Sequence, residues 1–459
     1  MNNYDVVIIG AGQAALPLAI KLADKGRSVA IVERKHLGGS CVNFGCTPTK
    51  AAVASARVAH LARRAGEFGI SVSNVTPDFS KVLDRARSIV RGSQEGILSA
   101  LKTHGVEVLC GQARLTGRDA GGFTVQIGGQ AVSAKDVVIN TGARTALPPI
   151  AGLSEVEYIH AGNWLKHDQL PKHLIFAGAG AIGLEMAQFY RRMGAQVTVV
   201  ASESQVAKGE DGEVARAMQA ILEAEGIVVR LNSPIKAVAN DPAGVRATIQ
   251  SAGKEESITG SHLFLATGRL PNTDDLGLQA LGIRMGGKGA IQVDERLSTN
   301  VPGVWVAGDA RGGPMFTHTS WDDHLVLASQ LLGDGSRTTT GRIVPYAIFT
   351  DPELGRVGMT EEEARRTYGS QVKVATFEMK HSGKATEQGE TQGFIKLIAD
   401  IRDKRLLGAA ILAVEGGELV ASCITLMNSG AALTRMSSGI YIHPTLSEAV
   451  QSAAVALDL

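Results

Sequence analysis

The stretch Asp5-Val-Val-Ile-Ile-Gly10-Ala-Gly12-Gln-Ala-Ala15 decides the reading of the fold. A β-branched run ends on glycine, a helix-compatible segment follows from Gln13 to Lys25, and a second strand, Ser28 to Val32, ends at Glu33. Strand, helix and strand make one βαβ unit, the building block of a parallel sheet. At Gly10, Gly12 and Ala15 small residues let the turn tighten, bring the backbone up to a pyrophosphate and let the helix pack on the strand. The helix start then offers unpaired N–H donors and a positive dipole end to phosphates. Glu33 lies about 20 residues downstream, where an acid binds ribose hydroxyls.

The arrangement returns in the strand His173 to Ala177, the turn Gly178-Ala-Gly180-Ala-Ile-Gly183, a helix to Met193 and the strand Gln196 to Val200. Here no acid closes the second strand, which runs into Ala201-Ser202-Glu203. An acid would favour a free 2′-hydroxyl and repel a 2′-phosphate, so its absence favours NADPH. No arginine clamp is evident, and a Glu203 that swings back to the ribose leaves NADH as the alternative.

Working outward, Thr47 to about His104 reads as helical. Two apolar strands, one ending at Asn140-Thr141-Gly142 and the other at Thr267-Gly268, read as the last sheet strand of each half, turning away beside a nucleotide. From Arg342 the pattern changes to strands near Phe349, Val372 to Phe377, Phe394 to Ala399 and Leu407 to Leu412, with helices near Glu361 to Thr367 and Glu418 to Ser429. The expected class is α/β, with two Rossmann-like dinucleotide-binding domains and a C-terminal α+β domain. The divisions fall at 1–148, 149–270, 271–341 and 342–459.

Composition narrows the function. With 46 basic and 45 acidic residues the formal charge is +1, which leaves no basic excess for nucleic acid or an anionic membrane. Neither a signal-peptide core nor a spanning helix is evident, so a cytosolic location is expected. There, four cysteines are a poor disulfide framework. Cys41-Val-Asn-Phe-Gly-Cys46 reads instead as a redox pair: four intervening residues at a helix start can hold two sulfurs within bridging distance, and the helix dipole lowers a thiolate pKa. Two buried apolar cysteines or a metal site are the alternatives. Nearby histidines complete no zinc spacing, so no metal is expected.

The run Gly38-Gly39-Ser-Cys41 to Cys46-Thr-Pro-Thr-Lys50 resembles the active site of the pyridine nucleotide-disulfide oxidoreductases, which include glutathione reductase, dihydrolipoamide dehydrogenase and mercuric reductase. Val304-Trp-Val-Ala-Gly308-Asp309 resembles that family's second FAD motif, His443-Pro-Thr-Leu-Ser-Glu448 its C-terminal His/Glu pair, and Arg342 to Leu459 its dimerisation domain. The resemblance implies FAD at Gly10, Gly12, Ala15, Glu33, Gly39, Thr141, Gly142, Gly308 and Asp309, carried by 1–148 and 271–341. It implies NAD(P)H at Gly178, Gly180, Gly183, Ser202 and Gly268, carried by 149–270. Cys46 would be the sulfur against the flavin and Cys41 the sulfur that exchanges with substrate. Lys50 and Glu185 would pair beside the flavin, and His443, oriented by Glu448 and contributed by the other subunit of a homodimer, would be the acid/base group.

Within the family the cysteine motif, Ala201-Ser202 and the stretch Gly312 to Asp323 look closest to mercuric-reductase-like proteins. The whole-chain pattern also resembles flavoprotein copper reductases. No cysteine follows Cys423 in place of the vicinal pair with which mercuric reductases end, and His443 is kept. The expected activity is NAD(P)H-dependent reduction of a disulfide or metal-ion acceptor. Dihydrolipoamide dehydrogenase is the alternative enzyme, and a flavoprotein redox sensor or complex subunit the alternative without turnover.

Overall fold

The structure is a computed structural model that describes residues 2–459. Its first sheet contains β1 (Asn2–Ile9), β2 (Val29–Glu33), β3 (Glu107–Cys110), β4 (Ala113–Asp119), β5 (Gly122–Ile127) and β6 (Gln130–Ile139), in the order β3-β2-β1-β6-β5-β4. Strands β3, β2, β1 and β6 run parallel, with Ile8 beside both Ile31 and Val138, whereas β6, β5 and β4 form an antiparallel meander. Helix α1 (Ala15–Ala23) buries Ala15, Leu18, Ala19 and Leu22, the one-face spacing that seats a helix on a sheet.

The region expected to be helical divides. After the short α2 (Gly39–Asn43) come α3 (Cys46–Arg63) and α4 (Phe79–Thr103), and the segment between them, 70–78, is irregular. The break has local causes: Gly69 is left-handed at φ +75°, Pro77 cannot donate to a helix, and Asp78 caps α4 by accepting the Lys81 N–H.

After β7 (Ala143–Thr145), a second sheet forms from β8 (Tyr158–His160), β9 (His173–Ala177), β10 (Gln196–Val200), β11 (Val228–Arg230) and a later strand, with α5 (Ala181–Met193) and α6 (Gly212–Ala224). A three-stranded meander that the sequence reading did not anticipate, β12 (Ile235–Asp241), β13 (Gly244–Ser251) and β14 (Lys254–Gly260), lies over it. Its short polar alternation had no apolar run to announce it. The chain re-enters the sheet as β15 (His262–Leu265), giving the parallel order β11-β10-β9-β15-β8, and leaves through β16 (Arg269–Pro271), which pairs with β7. Strand β17 (Val304–Val306) then returns to the first sheet, parallel to β6, and α7 (Thr317–Leu332) packs on α1.

This topology corrects the reading of the two Thr-Gly strands as last in their sheets. Strand β6 lies between β1 and β17, and β15 between β9 and β8. Val137, Val138 and Ile139 are all fully buried, as are Leu263 and Phe264. An unbroken apolar run covered on both faces is the mark of an interior parallel strand.

The C-terminal region folds on an antiparallel sheet of β18 (Tyr346–Ile348), β19 (Glu353–Gly358), β20 (Val372–Glu378), β21 (Phe394–Asp400) and β22 (Arg405–Ala413), ordered β18-β19-β22-β21-β20. It carries α8 (Glu361–Tyr368), α9 (Gly383–Glu387), α10 (Gly416–Ser429), α11 (Thr434–Ser437) and α12 (Ser447–Ala456). The expected α/β class with two Rossmann-like units and a C-terminal α+β unit is what the chain adopts. Among the described residues no helix is long and apolar enough to cross a membrane.

Candidate active site

The first glycine turn is built around one side chain that the sequence reading did not single out, Asn140 at the end of β6. Gly10 sits at φ +97°, and a Cβ there would lie 2.4 Å from the Asn140 carbonyl oxygen. A Cβ on Gly12 would lie 2.7 Å from Asn140 Oδ1, the atom that accepts the Ala15 N–H at 3.2 Å. Asn140 Nδ2 reaches the other way, donating to the Ala307 carbonyl at 3.0 Å. One buried amide thus ties Gly10–Ala15 to the strand that leads into Gly308 and Asp309. Glu33 closes β2 with its carboxylate turned to the loop, accepting the Ala11 N–H at 3.0 Å and the Lys35 N–H at 2.7 Å.

Gly39 completes the cradle, since a Cβ there would meet Gly12 Cα at 2.9 Å. Gly10, Glu33, Gln112, Thr141 and Asn272 line one cleft. Gly142, at φ +66°, accepts from the Asn272 N–H beside it. Gly308 donates its N–H to the buried Asp323 at 2.7 Å. Asp309 pairs with Arg269 at 3.1 Å, and burial pushes its carboxyl pKa up against that arginine's pull. Arg269 also donates to Ser40. A helix start whose own N-cap residue, Ala14, offers no side-chain cap, close backbone approaches at Gly10, Gly12 and Gly39, an acid at the strand end and Asp309 at the far end fit an FAD.

The second turn repeats the geometry. Gly178 is at φ +111°, with the position of its Cβ 2.5 Å from the Ala266 carbonyl, and a Cβ on Gly183 would meet the Gly178 carbonyl at 2.3 Å. Gly180 faces open space, and α5 begins beyond it without a side-chain cap. Gly268, at φ +104°, lies where the chain leaves this sheet. Ser202 is exposed and donates to Glu203 at 3.0 Å. Among the described residues no arginine or lysine is bonded to either.

Between the two halves stand the cysteines. Cys41 lies in α2 and Cys46 is the first residue of α3, both as free thiols. Donation from Cys41 lowers the Cys46 pKa to about 6, with Thr317 and Lys50 acting in the same direction against burial. Cys41 is pushed up by its bond to Cys46 and by burial. Thr317 Oγ1 lies 3.2 Å from the Cys46 sulfur.

One turn along α3, Lys50 Nζ meets Glu185 Oε2 of α5 at 2.6 Å, with the carboxylate almost fully buried. The Phe349 N–H donates to the other oxygen at 2.9 Å, and the Phe349 ring lies 4.4 Å from the ammonium. This ion pair spans the helix carrying the cysteine and the helix behind the second glycine turn. Among the described residues no cluster of three or more His, Cys, Asp or Glu side chains is arranged for a metal.

His443 and Glu448 are brought together, Nδ1 to Oε1 at 3.1 Å, just ahead of and within the first turn of α12. The Thr445 N–H, more than His443, holds the Glu448 carboxyl below its ordinary pKa. The pair is not bonded to the cysteines of its own chain. His443 is 80% exposed and flanked by the exposed Ile440 and Ile442.

Asn140, Arg269, Thr317 and Phe349 were missed as site residues. Arg269 and Thr317 stand in stretches already recognised, Thr-Gly268-Arg269 and Gly312 to Asp323, so adjacency could have found them. Asn140 likewise stands directly before Thr141 and Gly142, whereas Phe349 carries no such signal.

The family described as "Pyridine nucleotide-disulphide oxidoreductase" matches residues 4–323, and its "dimerisation domain" matches 344–454. A dihydrolipoyl dehydrogenase of Cupriavidus necator is 33% identical, covering 100% of this chain and 98% of its own. A mercuric reductase of Streptomyces lividans is also 33% identical, covering 99% and 96%. The structure of the Cu(II) complex of the HOCl-induced flavoprotein disulfide reductase RclA from Escherichia coli superposes with a TM-score of 0.90 at 31% identity, covering 99% of each chain.

Proposed function

We propose a specific place for this chain within the pyridine nucleotide-disulphide oxidoreductases, the family of NAD(P)H-dependent flavoenzymes to which it belongs: it passes electrons from NADPH, by way of FAD, through Cys46 and Cys41 to a disulfide or metal-ion acceptor. The observation that carries this reading is the seam between the halves, where Cys46, Lys50 and Glu185 join the helix of the redox pair to the helix of the second glycine turn. Bound FAD supplies the two-electron relay between nicotinamide and sulfur. Residues 1–148 and 271–341 hold it, 149–270 hold NADPH, and 342–459 pair two chains in the cytosol.

The protein's own groups do the rest. On taking up two electrons and one proton, the Cys41–Cys46 bond breaks, leaving a Cys46 thiolate and a Cys41 thiol, the distribution that the paired sulfurs favour. Cys41 gives its proton to His443 of the partner subunit and attacks one sulfur of a disulfide acceptor. The departing thiolate takes that proton back. The Cys46 thiolate then attacks Cys41, which restores the bond and releases the second product thiolate.

Dihydrolipoamide dehydrogenase is the second reading, favoured by the retained His443–Glu448 pair. Assaying lipoamide, glutathione disulfide, Hg²⁺ and Cu²⁺ under NADPH and NADH separates the two. Turnover of Cu²⁺ or Hg²⁺ with NADPH is expected, and efficient turnover of lipoamide alone with NADH would establish the alternative. The composite site has its own test. Co-expressed Cys46→Ala and His443→Ala chains, each inactive in thiol exchange, should recover about a quarter of wild-type turnover, because half the dimers carry one intact site. Mixed dimers without recovery would refute it.

A further inference from the structure

We propose that Thr317 is a positioning residue that keeps Cys46 ionised while Cys41 is engaged with the acceptor, its hydroxyl donating to the Cys46 sulfur. The proposal rests on the reading of Cys46 as the flavin-side thiolate. The thiol of Cys41 is the largest influence favouring that thiolate, yet it can donate only while Cys41 carries a proton. Once Cys41 is bonded to an acceptor sulfur, that donor is gone at the stage when Cys46 has to attack. The charge left acting on Cys46 is then that of Lys50, from its own helix, whose ammonium is drawn to Glu185 of α5 at 2.6 Å. Thr317 is the side-chain donor that does not change during the cycle.

The local structure commits the hydroxyl to this task. Thr317 is the first residue of α7, and the N-cap before it is Phe316, which makes no side-chain cap. The hydroxyl lies 3.2 Å from the Cys46 sulfur and also draws down the Cys41 thiol, so it stands between the two sulfurs and is left to Cys46 once Cys41 is bonded to an acceptor. The segment is held from two sides. The Phe316 ring stacks nearly parallel to His318 at 5.2 Å and to Tyr346 at 5.5 Å. His318 Nε2 donates to the Pro345 carbonyl at 2.7 Å, and the Tyr346 hydroxyl bonds to Glu210, ahead of α6. Both the C-terminal sheet and the second dinucleotide half therefore fix where the hydroxyl points.

The test uses reduced holoenzyme whose Cys41 has been alkylated, which removes the competing donor. The thiolate-to-flavin charge-transfer absorbance is titrated with pH in wild type, Thr317→Val, Thr317→Ala and Thr317→Ser, and the pH profile of Cys46 alkylation is followed by peptide mass. Loss of a hydrogen bond to an ionised group should raise the apparent pKa in the Val and Ala variants by about one pH unit, so that their band fades at a higher pH. The Ser variant should titrate with wild type. Val and Ala variants that titrate with wild type in both readouts would overturn the proposal. Absence of the band at every pH in wild type would instead refute the assignment of Cys46, and the alkylation profile would still report on Thr317.

Discussion

The two dinucleotide halves share a turn and differ in what surrounds it. At Gly10 and Gly178 the demand is the same: a left-handed φ, and a carbonyl from the neighbouring interior strand 2.4 or 2.5 Å from where a Cβ would sit. At the second glycine they part. Gly12 is required by protein, because Asn140 Oδ1 fills the space, whereas Gly180 faces open space. The first half is also closed over by β17, Asp309 and Asp323, which return from far along the chain. A cofactor held throughout turnover suits the closed half, and one that must leave each cycle suits the open half.

The comparison is broken most severely at the first glycine. Gly10→Ala should yield protein without flavin and without activity, since positive φ and a backbone clash coincide. Gly178→Ala should keep its flavin and accept electrons from dithionite, while kcat/KM for NADPH falls by about 100-fold or more, roughly 2.7 kcal/mol. Flavin loss from the Gly178 variant would mean that the halves are not separable in this way.

A smaller effect sharpens the second position. Gly12→Ala should weaken FAD retention about tenfold or more, an effect of roughly 1.4 kcal/mol, and Gly180→Ala should raise KM for NADPH with flavin retention unchanged. Because the Gly12 clash is with the Asn140 side chain, Asn140→Ala should relieve part of the Gly12→Ala defect. Dialysis followed by flavin absorbance across the double-mutant cycle measures the coupling, and strict additivity would exclude Asn140 as the cause.

The smallest effect concerns the strand ends, where Glu33 in one half corresponds to Ala201 in the other. Wild type should favour NADPH, and Ala201→Glu should move the ratio of kcat/KM values toward NADH by about tenfold, roughly 1.4 kcal/mol. A ratio unmoved by the substitution would show that Ser202 and Glu203, or the ribose pocket as a whole, set the preference.

Much of this was legible in the chain. The glycine turns, the acid at Glu33, the cysteine motif and the β-branched strands are local signals, fixed by sterics and periodicity within a few residues. Strands β9 and β10 therefore begin and end where the pattern places them. The meander β12–β14 was not legible, because only alternate residues such as Val245, Ala247 and Ile249 enter the core beside the second sheet, and the polar residues between them leave no apolar run. The position of β6 and β15 inside their sheets was written in their two-faced apolarity but depended on which strands returned beside them.

The sequence by itself determined the dinucleotide turns, the close spacing of Cys41 and Cys46 at a helix start and the absence of an acid after Val200, because each depends on the chemistry of neighbouring residues. Only the tertiary structure decided that Asn140 binds both FAD motifs together, that Thr317 reaches Cys46 and that Phe349 steadies Glu185. These contacts join residues 167, 271 and 164 positions apart, and no local propensity encodes a meeting at that separation. It follows from how the sheets pack. The same packing leaves His443 exposed beside Ile440 and Ile442, ordered by Glu448 but turned to solvent, while α12 packs on β20 and β21.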